Sequence, residues 1–189
     1  MIAAKFRNNF ADLLIGLMNS KDIVGRYKGE LQVLKELSPL VYDGVLLCIY
    51  LEFIDAHPDE QMLKEGFGRE ISELARASDV ADLVRNFVLS DRSGVYYTSS
   101  IFSKFAIENL CDADDLARVI EDSLEVLIHG AGVSGDLFHV ARELMRFNYL
   151  KSLARDGNFD RIAEIYDRVS RIPALHEHDL FWLQYGMLE

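Results

Sequence analysis

A run of apolar residues with no polar face constrains this chain more than anything else in it. Residues 40–56 read LVYDGVLLCIYLEFIDA. A helix that is apolar nearly all round belongs either at the centre of a fold or in a bilayer. The longest uninterrupted apolar stretch, residues 45–51, is far shorter than the ~20 residues a membrane-spanning helix needs. The segment therefore reads as the central helix of a helical domain. Pro39 fits its first turn, where a missing N–H costs nothing, and His57, Pro58 and Asp59 are read as its end.

Helical spacing continues on both sides of that helix. Phe6, Phe10, Leu13, Leu14, Leu17 and Met18 lie on one face of a first helix, and Ile23, Tyr27, Leu31, Leu34 and Leu37 on one face of a second. After the central helix, Met62, Leu63, Phe67, Ile71 and Leu74 predict a fourth. Ser78 or Asp79 is placed to cap a short fifth, with Val80, Leu83 and Val84 inward.

The period then changes. Phe87, Val88 and Leu89 are β-prone, Asp91, Arg92, Ser93 and Gly94 form a turn sequence, and Val95, Tyr96 and Tyr97 are β-prone again. This is the one good hairpin signal, and Gly94 supplies the left-handed conformation such a turn demands. Thr98, Ser99 or Ser100 caps the next helix. Asp112 caps the one after, with Asp114 and Asp115 in its first turn, where the helix dipole favours negative charge. Leu116, Val119, Ile120, Leu124 and Leu127 form its stripe.

Gly130, Gly132 and Gly135 mark a boundary. Three further helices are expected beyond it. One runs from Asp136 to about Arg155. One starts near Asn158 and buries Phe159, Ile162, Ala163, Tyr166 and Val169. After Pro173 comes a final aromatic one, DLFWLQYGM. The expected fold class is mainly all-α, with one small β-hairpin. The expected units are an N-terminal helical pair (1–38), a winged-helix-like module (39–129) and the start of a helical repeat region (136–189).

Composition narrows the function classes. Half the chain is hydrophobic and 27% is charged, which excludes disorder. The balance of 20 basic to 31 acidic residues gives a net charge of -11. Residues 1–50 hold 6 basic and 5 acidic groups, leaving 14 and 26 for the rest, so the excess lies entirely beyond residue 50. A duplex-binding protein needs Lys and Arg to displace counterions from phosphates. The tip of the candidate wing pairs Asp91 with Arg92, and the preceding helix carries two acids and one Arg, so this module suits protein packing better than nucleic acid.

Motifs of chemistry are missing or incomplete. Gly130, Gly132 and Gly135 spell G-x-G-x-x-G, but that fingerprint follows a strand and here it follows a helix. No Walker A string occurs. His176, His178 and Asp179 lack the further ligands that zinc needs. Asp112, Asp114 and Asp115 resemble half a calcium loop whose obligatory Gly is Ala117. Cys48 and Cys111 are too few and too distant for a disulfide framework and read as buried thiols. The N-terminus shows no signal peptide. The expectation is a soluble, cytoplasmic, non-enzymatic protein without cofactor or metal.

The last helices carry a second pattern. NFDRIAEIYDRV followed by DLFWLQYGM is similar to the joint between tetratricopeptide-type repeats. Ala163 permits close approach, and Trp182, Tyr185 and Gly186 echo a W-x2-L-G spacing. Together, VYYTSSIFSKFAIENL, LMRFNYLKSL and HDLFWLQYGM resemble the region after the ATPase core in STAND-type P-loop NTPases, multidomain signalling proteins of bacterial defence systems. The likeness covers roughly residues 40–189. It implies a winged helix joined to helical repeats that couples ligand sensing to an ATPase or effector. No residue here inherits ATP hydrolysis, because the phosphate loop and the magnesium-binding strand are missing.

The expected function is a non-catalytic regulatory or interaction module, a piece of a larger STAND-like protein, since the chain stops inside an aromatic helix. Its partners are further domains or other proteins, with homo-oligomerisation possible. Phe181, Trp182, Tyr185 and Arg92 are the expected interaction surface. Two rival readings remain open. One is a winged-helix nucleic-acid-binding module. The other is a stand-alone acidic scaffold or immunity-type protein, acidic because its partner is basic.

Overall fold

The computed structural model describes residues 16–56, 78–90, 96–131, 136–154, 159–175 and 178–188. The fold is mainly helical. Among the described residues its helices are α1 (Lys21–Leu37), α2 (Pro39–Phe53), α3 (Ser78–Arg85), α4 (Ser100–Asn109), α5 (Ala113–Ala131), α6 (Asp136–Leu144), α7 (Phe147–Leu150), α8 (Asp160–Val169) and α9 (Asp179–Tyr185). Two-residue strands β1 (Leu89–Ser90) and β2 (Tyr96–Tyr97) lie between α3 and α4 and pair antiparallel, Leu89 opposite Tyr97 and Ser90 opposite Tyr96. The expected turn, with Arg92, and the expected helix at residues 62–74 lie outside the described residues.

Helix α2 is the centre of the molecule. Every residue from Val41 to Leu51 is buried, and the helix packs against α1, α4 and α5. Burying each of its large aliphatic side chains contributes about 1.5–3 kcal/mol, so this one element anchors much of the fold. It stops earlier than His57 and by a different device. Asp55 takes a left-handed φ of 62°. The Ala56 N–H then reaches the Leu51 carbonyl at 2.8 Å and the Asp55 N–H that of Glu52 at 3.1 Å. These two bonds are a Schellman motif, closed by an Asp where Gly is commoner.

Helix α5 is the second organiser, packed against α2, α6 and α8. Its predicted stripe, Leu116, Val119, Ile120, Leu124 and Leu127, is buried. Asp112 starts it as expected, its Oδ1 accepting from the N–H groups of Asp114 at 3.0 Å and Asp115 at 3.1 Å. Ser99 caps α4 through a bond from the Phe102 N–H at 3.0 Å. The buried residues form one continuous cluster from Leu31 to Phe181.

The C-terminal third departs from expectation. The helix predicted from Asp136 to about Arg155 breaks after Leu144, and Arg146 sits at φ -64°, ψ 121° before α7 begins. The break has distant partners. The Tyr166 hydroxyl of α8 donates to the Met145 carbonyl at 2.5 Å. The Phe147 N–H donates to the Gln184 side-chain oxygen of α9 at 2.8 Å. Backbone groups freed by the break are thus satisfied from elements that follow it in sequence. Phe159, expected inside, is largely exposed, and Ile23 and Leu37 also fall outside the core.

Candidate functional site

Two clusters concentrate the polar and aromatic chemistry of the chain. The first lies along α5. Asp43, the one carboxylate in the buried stretch of α2, accepts both Arg118 guanidinium nitrogens, at 2.6 and 3.0 Å. Asp115 accepts from Lys35 Nζ of α1 at 2.5 Å and from the Tyr42 hydroxyl at 2.9 Å. On the other side Glu121 receives Arg168 of α8 at 3.0 Å and faces Arg161 at 3.7 Å, and Glu125 receives Arg168 at 3.0 Å.

The electrostatics of this cluster describe closed pairs. Burial works against the charge of Asp115, but the bonds from Lys35 and Tyr42 and the nearby Arg118 outweigh it and hold the carboxyl below its ordinary range. The bond to Asp43 raises Arg118 despite partial burial, and the bonds to Glu164 and Glu125 do the same for Arg161 and Arg168. Burial, with help from Asp115, pushes the Tyr42 hydroxyl well up, away from any role as a base. These carboxylates are spent on joining α1, α2 and α8 to α5.

Among the described residues no group of three His, Cys, Asp or Glu side chains is placed to hold a metal ion. Cys48 and Cys111 are both buried and are not joined in a disulfide, and burial pushes the Cys48 thiol far above its usual value. Asp112 is engaged as a helix cap. His178 is the residue preceding α9, and Asp179 lies in its first turn.

The second cluster is the C-terminal aromatic one. Phe181 is buried and meets Tyr166 edge-on at 6.0 Å. Tyr185 stacks on Tyr166 at 5.5 Å and on Trp182 at 6.0 Å, and its hydroxyl bonds to Asp167. Burial pushes the Tyr166 hydroxyl up, consistent with its role as a donor to Met145. Of the expected interaction residues, then, Phe181 belongs to the core, because α9 docks on α8 through it. Tyr185 is half-buried beside it, Trp182 remains 44% exposed, and Arg92 lies outside the described residues.

The outer face of α9 carries residues that the aromatic pattern concealed. Leu180, Leu183 and Met187 are 45%, 60% and 51% exposed. Leu180 and Leu183, at i and i+3, share one face of α9 away from the docked Phe181, and Met187 follows in the 3₁₀ turn Gly186–Leu188 that continues the helix. That spacing is present in the sequence, but the aromatic residues between these positions mask it. Beside the stripe lies a groove of about 220 Å³ lined by Arg142, Met145, Arg146, His178, Leu180, Phe181 and Gln184.

Neither a protein family, nor a curated protein, nor a solved structure matches the chain. Among the described residues no helix is long and apolar enough to cross a membrane.

Proposed function

We propose that this chain is a non-catalytic regulatory and protein-interaction module that works through the outer face of α9. The carrying observation is that α9 is apolar on both sides while only one side is covered. Phe181 is buried, and Leu180, Leu183, Met187 and part of Trp182 face solvent. A helix apolar all round is normally enclosed, and contiguous exposed apolar surface marks a contact site. The α8–α9 pair, with its tyrosine stack, supports a repeat-like joint of the tetratricopeptide kind, whose next unit would cover this stripe. The α3–β1–β2–α4 order supports a winged-helix-like unit used for packing. With the sequence resemblance, these features favour a place in a STAND-like signalling or defence protein. There the module would couple sensing to an ATPase or effector.

Size-exclusion chromatography with light scattering on the wild type, Leu183→Ser and Trp182→Ala tests the reading. The wild type is expected to self-associate through the uncovered stripe and Leu183→Ser to be monomeric. Monomeric behaviour of the wild type and both variants at equal stability would sink it.

A further inference from the structure

The groove beside α9 says what kind of partner the stripe takes. Its lining includes Arg142 and Arg146, four residues apart at the α6–α7 break. Their guanidinium groups share one carboxylate, Glu143, at 3.8 Å from Arg142 and 3.0 Å from Arg146. One negative charge thus faces two positive ones on the arginine side, and the exposed Asp179, one turn before Leu183, stands on the other flank of the stripe, so the positive charge is confined to the Arg142–Arg146 side. Both arginines keep 40% or more of their side-chain surface in water. His178, also in the lining, holds its Nδ1 buried without a hydrogen-bond partner among the described residues, its ring edge-on to Phe138 at 5.0 Å. Its apolar lining is Leu180, Phe181 and Met145, with Gln184 beside them.

Leu180 belongs both to this groove and to the exposed stripe. A helix laid on the stripe therefore brings one of its flanks against the two arginines. This positive rim stands out in a chain of net charge -11. The overall charge does not cancel it at close range, because at physiological salt exposed charges beyond ~8 Å are largely screened. The carboxylates Asp43 of α2 and Asp115 and Glu121 of α5 are already bound to cations of this chain.

We infer that the occupant of the α9 face is an amphipathic acidic helix of a partner protein, with leucine-type anchors on the Leu180–Leu183–Met187 stripe and glutamate or aspartate side chains on Arg142 and Arg146. This inference rests on the reading of α9 as a contact surface and adds the charge of the partner. Guanidinium groups suit it, since their planar fork matches a carboxylate in two-bond geometry. Electrostatic complementarity of this kind selects among partners with similar apolar anchors.

The test uses fluorescein-labelled helical peptides with leucines at i, i+3 and i+7 and glutamates between them, beside counterparts with lysine or glutamine in the glutamate positions. Binding is followed by fluorescence anisotropy to the full chain, to Arg142→Glu/Arg146→Glu and to Leu183→Ser. The wild type is expected to prefer the glutamate peptide about tenfold over the lysine peptide, two partly exposed ion pairs being exchanged for repulsions. The double variant should reverse that order, and Leu183→Ser should weaken all three peptides together. Equal binding of the three peptides, or a preference that survives the double variant, overturns the acidic partner while leaving α9 as a contact surface. Binding of no peptide overturns it as well, and a wild type that still self-associates then identifies a second copy as the occupant. Monomers throughout the light-scattering series, together with binding of no peptide, remove the contact surface itself.

Discussion

The Asp43–Arg118 pair should respond very differently to the loss of each member. Asp43 keeps only 10% of its side-chain surface in water, whereas Arg118 keeps 41%. Replacing Arg118 with Met removes two charge-assisted bonds, at 2.6 and 3.0 Å, and leaves a carboxylate inside the central helix facing apolar neighbours. Stranding a buried charge costs about 3–5 kcal/mol, and the remaining polar contact of Asp43 places the expected loss near ~3 kcal/mol. Replacing Asp43 with Asn strands no charge, although its NH2 then faces one guanidinium N–H in place of an acceptor. The amide retains an acceptor, and Arg118 keeps water, Asp115 at 4.0 Å and Asp122 at 3.8 Å. That loss should be about 1–2 kcal/mol. In urea, with a slope of about 2 kcal/mol/M, the two midpoints should then lie about 0.5–1 M apart. Far-ultraviolet circular dichroism against urea on the wild type and both variants, with slopes compared, measures the difference. Equal losses, or a larger loss in Asp43→Asn, would show that burial asymmetry does not set the energetics of this pair.

Two further outcomes follow from the same geometry. Asp115 titrates below its ordinary range when folded, so its contribution is fully present above the unfolded carboxylate value of ~3.9 and is lost as pH falls through the lower folded value. Urea midpoints should therefore drop on the acid side of pH ~4, and Lys35→Met, which removes the 2.5 Å contact, should flatten that limb; an identical acid slope in the variant would contradict the assignment. Tyr166→Phe removes the donor to the Met145 carbonyl at 2.5 Å and leaves a buried acceptor at the α6–α7 break, so calorimetry should register a loss of about 1–2 kcal/mol, and an unchanged transition would mean that the break stands without it.

Local chemistry carried a good part of the fold. The segment 41–51, apolar apart from Asp43 and too short to span a bilayer, reads as a central helix, and its burial is complete. Ser99 and Asp112 were legible as caps because their oxygens meet N–H groups two or three residues away. The α5 stripe was legible because its spacing repeats once per helical turn. Each of these signals is confined to a few neighbouring residues, so the chain needs no knowledge of its own tertiary structure to express it.

What the sequence left open depended on residues far apart along the chain. Nothing local announces that a helix beginning at Asp136 stops at Leu144, since the bonds that satisfy the break come from Tyr166 and Gln184. Nothing in DLFWLQYGM ranks Phe181 inside and Leu183 outside, because every side of that helix is apolar and only the position of α8 chooses between them. Arg142 and Arg146 look like ordinary surface charges until the fold brings Leu180 alongside and makes a groove of them. By itself the sequence determined a helical core and where most helices begin, since periodicity and capping act over one or two turns. Tertiary packing alone decided which face of α9 is left for a partner and which charges border it, because that depends on which elements meet.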